Sequence, residues 1–372
     1  MRGAQPQTKQ IGVGDEVPPI HCPNRLHGRS DIAEPPGYDK YMTRMARLQL
    51  IQGNMNMRSS LNTVPGAGSL EHSSLEGSPG YLVAGAGTPI VMLHSSLSSK
   101  SQWTSLTERL ASRYRVIALD LHGYGDNALP AGGALFTLDD EVRLVSDHLD
   151  NRTEPGARVH VVGHSYGGLV ALRFAQSRPD RVASLSLYEP VAFRVLPEND
   201  ETLAELMRLV DHIASLLAAG HRHDATQAFV DFWSGEGSYA SMTLPAQAAI
   251  ARRVDKVPLD FLASLSWPNG TEDLRGIAAP TLLLGGNRSP AVVQRINTLL
   301  ALTLPNCRAG SLDAGHMGPV TNAHRVNPWI EAFVDVCAER DSGFANTHEQ
   351  VAVRGGISAR PNAGVSANMA GV

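Results

Sequence analysis

No stretch of this 372-residue chain approaches the roughly 18 apolar residues needed to cross a bilayer, although 42% of its residues are hydrophobic. A helical membrane span is therefore not expected. The N-terminal MRGAQPQTKQIGVGDEVPP has no apolar core, so no secretory signal is visible. Cysteine is scarce. Cys22, Cys307 and Cys337 form an odd set without CxxC spacing, which argues against a disulfide framework or a zinc site. Charge is nearly balanced, at 32 Lys+Arg and 36 Asp+Glu, for a net −4. Without basic clusters, neither nucleic acid nor an anionic membrane is an expected partner. What is left is a soluble globular protein of a reducing compartment, with the cytoplasm as the expected location. Its expected partner is a small molecule, and its oligomeric state is open.

Between the ends of the chain, short apolar runs alternate with helical periods. TPIVMLH (88–94), RVIALDL (115–121), RVHVVG (158–163), VASLSLYEP (182–190), PTLLLGG (280–286) and RAGSLD (308–313) read as strands. SQWTSLTERLASRY, LDDEVRLVSDHLD, SYGGLVALRFAQSRP, PAVVQRINTLLALTL and HRVNPWIEAFVDVCAER read as helices between and after them. Such alternation implies a mainly parallel sheet covered on both faces, an α/β architecture. From about Phe193 to Ile277 the alternation breaks. ETLAELMRLVDHIASLLAA sets Leu203, Leu206, Met207, Val210, Ile213 and Leu217 along one face, and DATQAFVDFW and LPAQAAIARRV continue helically. An all-helical insertion between two strands predicts a lid over the edge where α/β sheets bind ligands. The expected division is therefore a core of residues 66–192 and 278–340, a helical cap of residues 193–277, and disordered segments at 1–65 and 341–372. Within the first of these, YDKYMTRMARLQLI has the composition of a short helix. The change of texture near Met55 and Met57 raises either as an alternative start, which an intact mass would decide.

VVGHSYGG places Ser165 between Gly163 and Gly167, after a buried strand and before a helix. A serine on such a turn stands clear of the sheet. The residues two before and two after it are crowded together and must be small. Ser165 is therefore the candidate nucleophile. A nucleophilic serine needs a base, and SLDAGHMGP offers His316 on a glycine-flanked loop after the last strand. His94, His122 and His164 are its rivals, and His94 and His122 close strands entering the same edge. GYGDNA lacks the helix that a dinucleotide loop must open, and HRHD (221–224) lacks further spaced metal ligands, with Asp224 read as a helix cap. No cofactor and no metal are expected.

From about Gly80 to Ala338 the chain resembles the α/β-hydrolase fold, carried by LHSS (93–96), DLHGYG (120–125), GHSYGG (163–168) and GHMGP (315–319). The resemblance implies a mostly parallel eight-stranded sheet, a helical cap after the sixth strand, and a Ser–acid–His triad in that order. It also implies an oxyanion hole from the backbone N–H groups of Tyr166 and Ser96, with His94, Ser95 and His164 about the substrate pocket. In most relatives the triad aspartate follows the strand that here ends in GGNRSP (285–290), where Ser289 stands in its place. Some relatives carry the acid one strand earlier, and there LYEPVAF presents Glu189. Asp313 and Asn287 are the other candidates. The expectation is a serine hydrolase using Ser165, His316 and Glu189 on a carboxylic ester of a small to medium, fairly apolar substrate. Other acyl or carbon–carbon bond hydrolysis, perhydrolysis, or ligand binding with slow turnover would use the same pocket.

Overall fold

A computed structural model of the protein describes residues 80–130, 133–267 and 271–354. The expectations for residues 1–65 lie outside this range, as do those for the tail beyond 354. Seven strands form one sheet: β1 (Tyr81–Ala84), β2 (Pro89–Leu93), β3 (Arg115–Leu119), β4 (Val159–His164), β5 (Val182–Tyr188), β6 (Thr281–Gly286) and β7 (Cys307–Leu312). Their order is β1-β3-β2-β4-β5-β6-β7, with every pairing parallel except that of β1 with β3. The described sheet thus has one strand fewer than the eight expected. β1 was not legible in the sequence because YLVA is four half-buried residues without alternation.

Helices α1 (Thr104–Leu110), α2 (Leu138–Asp150), α3 (Tyr166–Ser177), α8 (Ala291–Thr303) and α9 (Ala323–Arg354) flank the sheet. Alternate residues of each central strand enter opposite cores. Val91 and Leu93 face the α2, α3 and α8 side, while Ile90 and Met92 pack with Leu106 and Leu110 of α1 and Ile330 and Val334 of α9. Both faces are thereby dry, and β4 is buried at all six positions. α2 begins where the sequence predicts, because Thr137 and Asp140 close a capping box at its start. The last helix continues to Arg354, past the point at 341 where ordered structure was expected to end.

Four longer helices are inserted between β5 and β6: α4 (Glu201–Ala218), α5 (Arg222–Ser234), α6 (Leu244–Ala251) and α7 (Val257–Ser266). The stripe expected on α4 is buried, and Asp200 caps it, accepting from Thr202 N–H at 3.0 Å. Asp224 lies in the first turn of α5, not at its cap. α7 is buried from Val257 to Leu265. No helix among the described residues is long and apolar enough to cross a membrane.

Candidate active site

Three side chains, from the ends of β4 and β5 and from the loop after β7, converge at the C-terminal edge of the sheet. Ser165 stands at the β4–α3 junction with φ +54° and ψ −117°, a left-handed conformation that a serine adopts only under constraint. The constraint is visible in the flanking glycines. A Cβ on Gly163 would lie 2.6 Å from Gly167 O, and one on Gly167 would lie 2.4 Å from Leu93 O. The turn is closed by Ser165 N–H donating to Tyr188 O at 3.0 Å and Gly167 N–H donating to His94 O at 3.1 Å.

His316 lies on the loop after β7, with Nε2 2.9 Å from Ser165 Oγ. Its Nδ1 is 2.7 Å from Glu189 Oε2. Glu189 extends from the end of β5, also at positive φ (+45°), and its other oxygen accepts from Gly286 N–H at 2.6 Å. Serine, histidine and glutamate are all buried, Glu189 completely. With Nδ1–H donating to the carboxylate, Nε2 is left to accept the serine proton. Tyr188 OH donates to Gly315 O at 2.8 Å and pins the histidine loop. Trp233 of α5 covers the imidazole from the other side, its ring centroid 4.6 Å away.

The competing acids point elsewhere. Asp313 is half exposed and pairs with Arg288 and, at 3.8 Å, with Arg325. Asn287 is exposed. Ser289 is buried, and among the described residues its Oγ has no hydrogen-bond partner.

The cavity over Ser165 is narrow and is lined mainly by Val191, Phe193, Phe229, Trp233, Val257 and Phe261, with Ser96, Asp260 and Ser264 as its polar residues. Tyr166 also lines it, and as the first residue of α3 its N–H has no intrahelical acceptor. Three residues expected in the pocket are absent from this lining. His94 is fully buried, with Nε2 accepting from Leu121 N–H at 3.0 Å and Nδ1 2.7 Å from Ser95 O. Burial lowers its pKa to about 4, so it is a neutral brace between two loops. Ser95 directs its N–H and hydroxyl to Gln102 Oε1, at 3.1 and 3.0 Å. His164 is likewise buried and donates from Nε2 to His316 O at 2.8 Å. Burial, and the nearby His316, hold its pKa well below the usual histidine range. All three are thus turned away from the cavity by these hydrogen bonds. His122 lines a different surface hollow with Phe136 and Asp140.

One group was missed in the sequence. Lys256 and Asp260 on the inserted segment meet Glu141 of α2 in a buried cluster. Lys256 Nζ donates to Asp260 Oδ1 at 2.5 Å and to Glu141 Oε1 at 3.1 Å. Asp260 Oδ2 accepts from Tyr124 OH and Ser96 Oγ, each at 2.5 Å. Burial raises the Asp260 carboxyl, and the Lys256 ammonium opposes the rise. The signal was an acid inside the apolar run VPLDFLASL, which demands a buried partner. No group of three or more His, Cys, Asp or Glu among the described residues could hold a metal ion.

A model of the alpha/beta hydrolase family matches residues 90–329. The chain is 29% identical over 258 residues to the dihydrolipoyllysine-residue acetyltransferase component of the acetoin cleaving system of Pseudomonas putida, covering 67% of this chain and 64% of that protein. It is 32% identical over 134 residues to a soluble epoxide hydrolase of Corynebacterium sp. (strain C12), covering 36% of this chain and 45% of that protein. The chain spans about half to two thirds of the length of these curated relatives. A thermophilic esterase from Thermogutta terrifontis superposes with a TM-score of 0.55 at 22% identity, over 71% of this chain and 97% of that one, a likeness of fold alone. The match to the family model extends over more than half of the sequence, and the chain belongs to the alpha/beta hydrolase family.

Proposed function

We propose that the protein is a serine hydrolase that cleaves carboxylic esters of small acyl groups through a covalent acyl-enzyme. The observation that carries this reading is the unbroken line from Ser165 Oγ through His316 to Glu189, with links of 2.9 and 2.7 Å. Ser165 Oγ attacks the ester carbonyl carbon while His316 Nε2 takes its proton. The carbonyl oxygen becomes an oxyanion facing the N–H groups of Ser96 and Tyr166. The intermediate collapses, and His316 returns the proton to the leaving alcohol. Water then attacks the acyl-enzyme with His316 again as base, and the carboxylic acid leaves. Glu189 keeps Nδ1–H oriented and stabilises the imidazolium, and Gly286 N–H holds the carboxylate in place.

The inserted helices act as a lid, since Phe229, Trp233, Val257 and Phe261 roof the nucleophile. Phe229, Trp233, Val257 and Phe261 leave little free space over Ser165, which favours short acyl chains. An aspartate nucleophile, as used by epoxide hydrolases of this fold, is not available at position 165.

Hydrolysis of p-nitrophenyl esters from acetate to decanoate, with Ser165→Ala beside the wild type, tests the reading. The expected result is turnover greatest at the short end of the series and lost in the variant. Equal rates in the two proteins, or no turnover of any ester by the folded wild type, would overturn it.

A further inference from the structure

Facing Ser165 across the cavity is a carboxylate that the Ser–His–Glu chemistry does not use. Asp260 belongs to α7 and is 4% exposed. One of its oxygens accepts from the Ser96 and Tyr124 hydroxyls, and the other from Lys256. Lys256 and Glu141 are themselves fully buried. Two carboxylates sharing one ammonium in a dry site form a bracket that resists rearrangement, because displacing any member strands a buried charge.

The bracket grips a strained loop. Leu97, directly after Ser96, is buried with φ +59°. A leucine holds that left-handed conformation only when its surroundings impose it. On one side the loop is tied through Ser95 to Gln102, in the helical turn Lys100–Trp103 that follows it. On the other side its tie is the Ser96 hydroxyl, which reaches across 164 residues of sequence to Asp260. The direction of the Ser96 backbone N–H is thus fixed between two grips, one of them on an inserted helix.

We propose that Asp260 is a positioning residue: through the Ser96 hydroxyl it holds the loop after β2, so that α7 and the sheet together aim the Ser96 N–H at the oxyanion. This rests on the reading that the Ser96 N–H stabilises that oxyanion. Seating of α7 then completes the catalytic site as well as roofing it.

The test compares wild type, Ser96→Ala, Ser96→Thr, Asp260→Ala, the Ser96→Ala/Asp260→Ala double variant and Ser165→Ala. Each is assayed with p-nitrophenyl butyrate and with butylboronic acid as inhibitor. The boronic acid forms a bond from Ser165 Oγ to boron and sets a boron-bound oxygen where the oxyanion develops. Ser96→Ala keeps the N–H and leaves the ion cluster intact, so it reports even if Asp260→Ala does not fold. The expected result is a 10- to 100-fold fall in kcat and a similar rise in boronate Ki for each single alanine variant, with KM within about twofold. Ser96→Thr recovers most of the loss, and the double variant is no worse than the worse single one, since both act through one bond. Wild-type kcat and Ki in Ser96→Ala, or losses that multiply in the double variant, would overturn the proposal while Ser165-dependent turnover left the hydrolase reading standing. Turnover indifferent to Ser165→Ala would remove that reading, and the proposal with it.

Discussion

The Gly286 N–H donates to Glu189 Oε1 at 2.6 Å, tying the acid at the end of β5 to the end of β6. One carboxylate oxygen is thus fixed by backbone, and the other is free for His316 Nδ1. Glu189 thus meets His316 from the end of β5, while Ser289 stands near the end of β6. Glu189→Gln keeps the shape but offers an amide to both partners. We expect kcat to fall on the order of 10⁴, as for loss of a triad acid, with KM little changed. Stopped-flow or steady-state kinetics on a p-nitrophenyl ester would show it, and near-wild-type kcat would exclude Glu189 from the triad.

Gly167 is required by space. A Cβ there would lie 2.4 Å from Leu93 O and 2.5 Å from His94 O, both backbone atoms that cannot turn aside. Gly167→Ala is therefore expected to cost about 1–3 kcal/mol by overpacking, and to lower Tm by several degrees. Gly156→Ala meets nothing within 4 Å and carries only the strain of its φ of +75°. Calorimetry on the two variants should show the larger drop for Gly167→Ala. The reverse order would mean that the β4–α3 junction relaxes more readily than its contacts suggest.

The convergence of Ser165, His316 and Glu189 was legible because each follows a strand that ends at one edge of the sheet, within a short motif. Gly163 and Gly167 announce the turn at Ser165, and the strand-like runs before Glu189 and His316 place both at the same sheet edge. The pocket wall was less legible. His94, Ser95 and His164 are near the nucleophile in sequence or strand order, yet their side chains turn into the loops behind it. Lys256 and Glu141 are 115 residues apart and meet only because the turn leading into α7 reaches α2. No local pattern encodes such a pair. The sequence shows that Asp260 needs a partner but not where it will find one.

Acid should destabilise the fold through its buried histidines. His160 of β4 is 1% exposed, beside the Tyr114 ring and 2.7 Å from Ser184 Oγ. Burial lowers its pKa to about 4, against small opposed effects of Asp341, Asp335 and Arg158. A histidine depressed in the folded state binds its proton more readily when unfolded. Its contribution to stability is therefore complete above about pH 6.5 and is lost as pH falls to about 4. The shift corresponds to an effect on the order of 3 kcal/mol. In urea titrations between pH 4 and 7, His160→Gln should lessen the slope of stability against pH by about one proton. An unchanged slope would place the acid sensitivity in other groups, with His94 and His164 first among them.

If the cavity is the acyl site of the proposed hydrolase, Trp233 is expected to set its depth. It reaches from α5 to lie against His316, with centroids 4.6 Å apart and planes inclined by 31°, and it shares the cavity wall with Phe229 and Phe261. Replacing the indole with a smaller apolar side chain lengthens the cavity and releases one face of the imidazole. In Trp233→Leu, kcat/KM for p-nitrophenyl acetate is expected to fall about tenfold, because His316 is held less well for proton transfer. Octanoate and decanoate should gain relative to acetate, as the acyl chain enters the vacated volume. A tryptophan that only stabilised the inserted helices would lower activity on every ester by the same factor. Measuring the whole series on both proteins separates these cases: a shifted chain-length optimum places Trp233 at the end of the acyl site, and an unshifted one removes it from the determinants of substrate size.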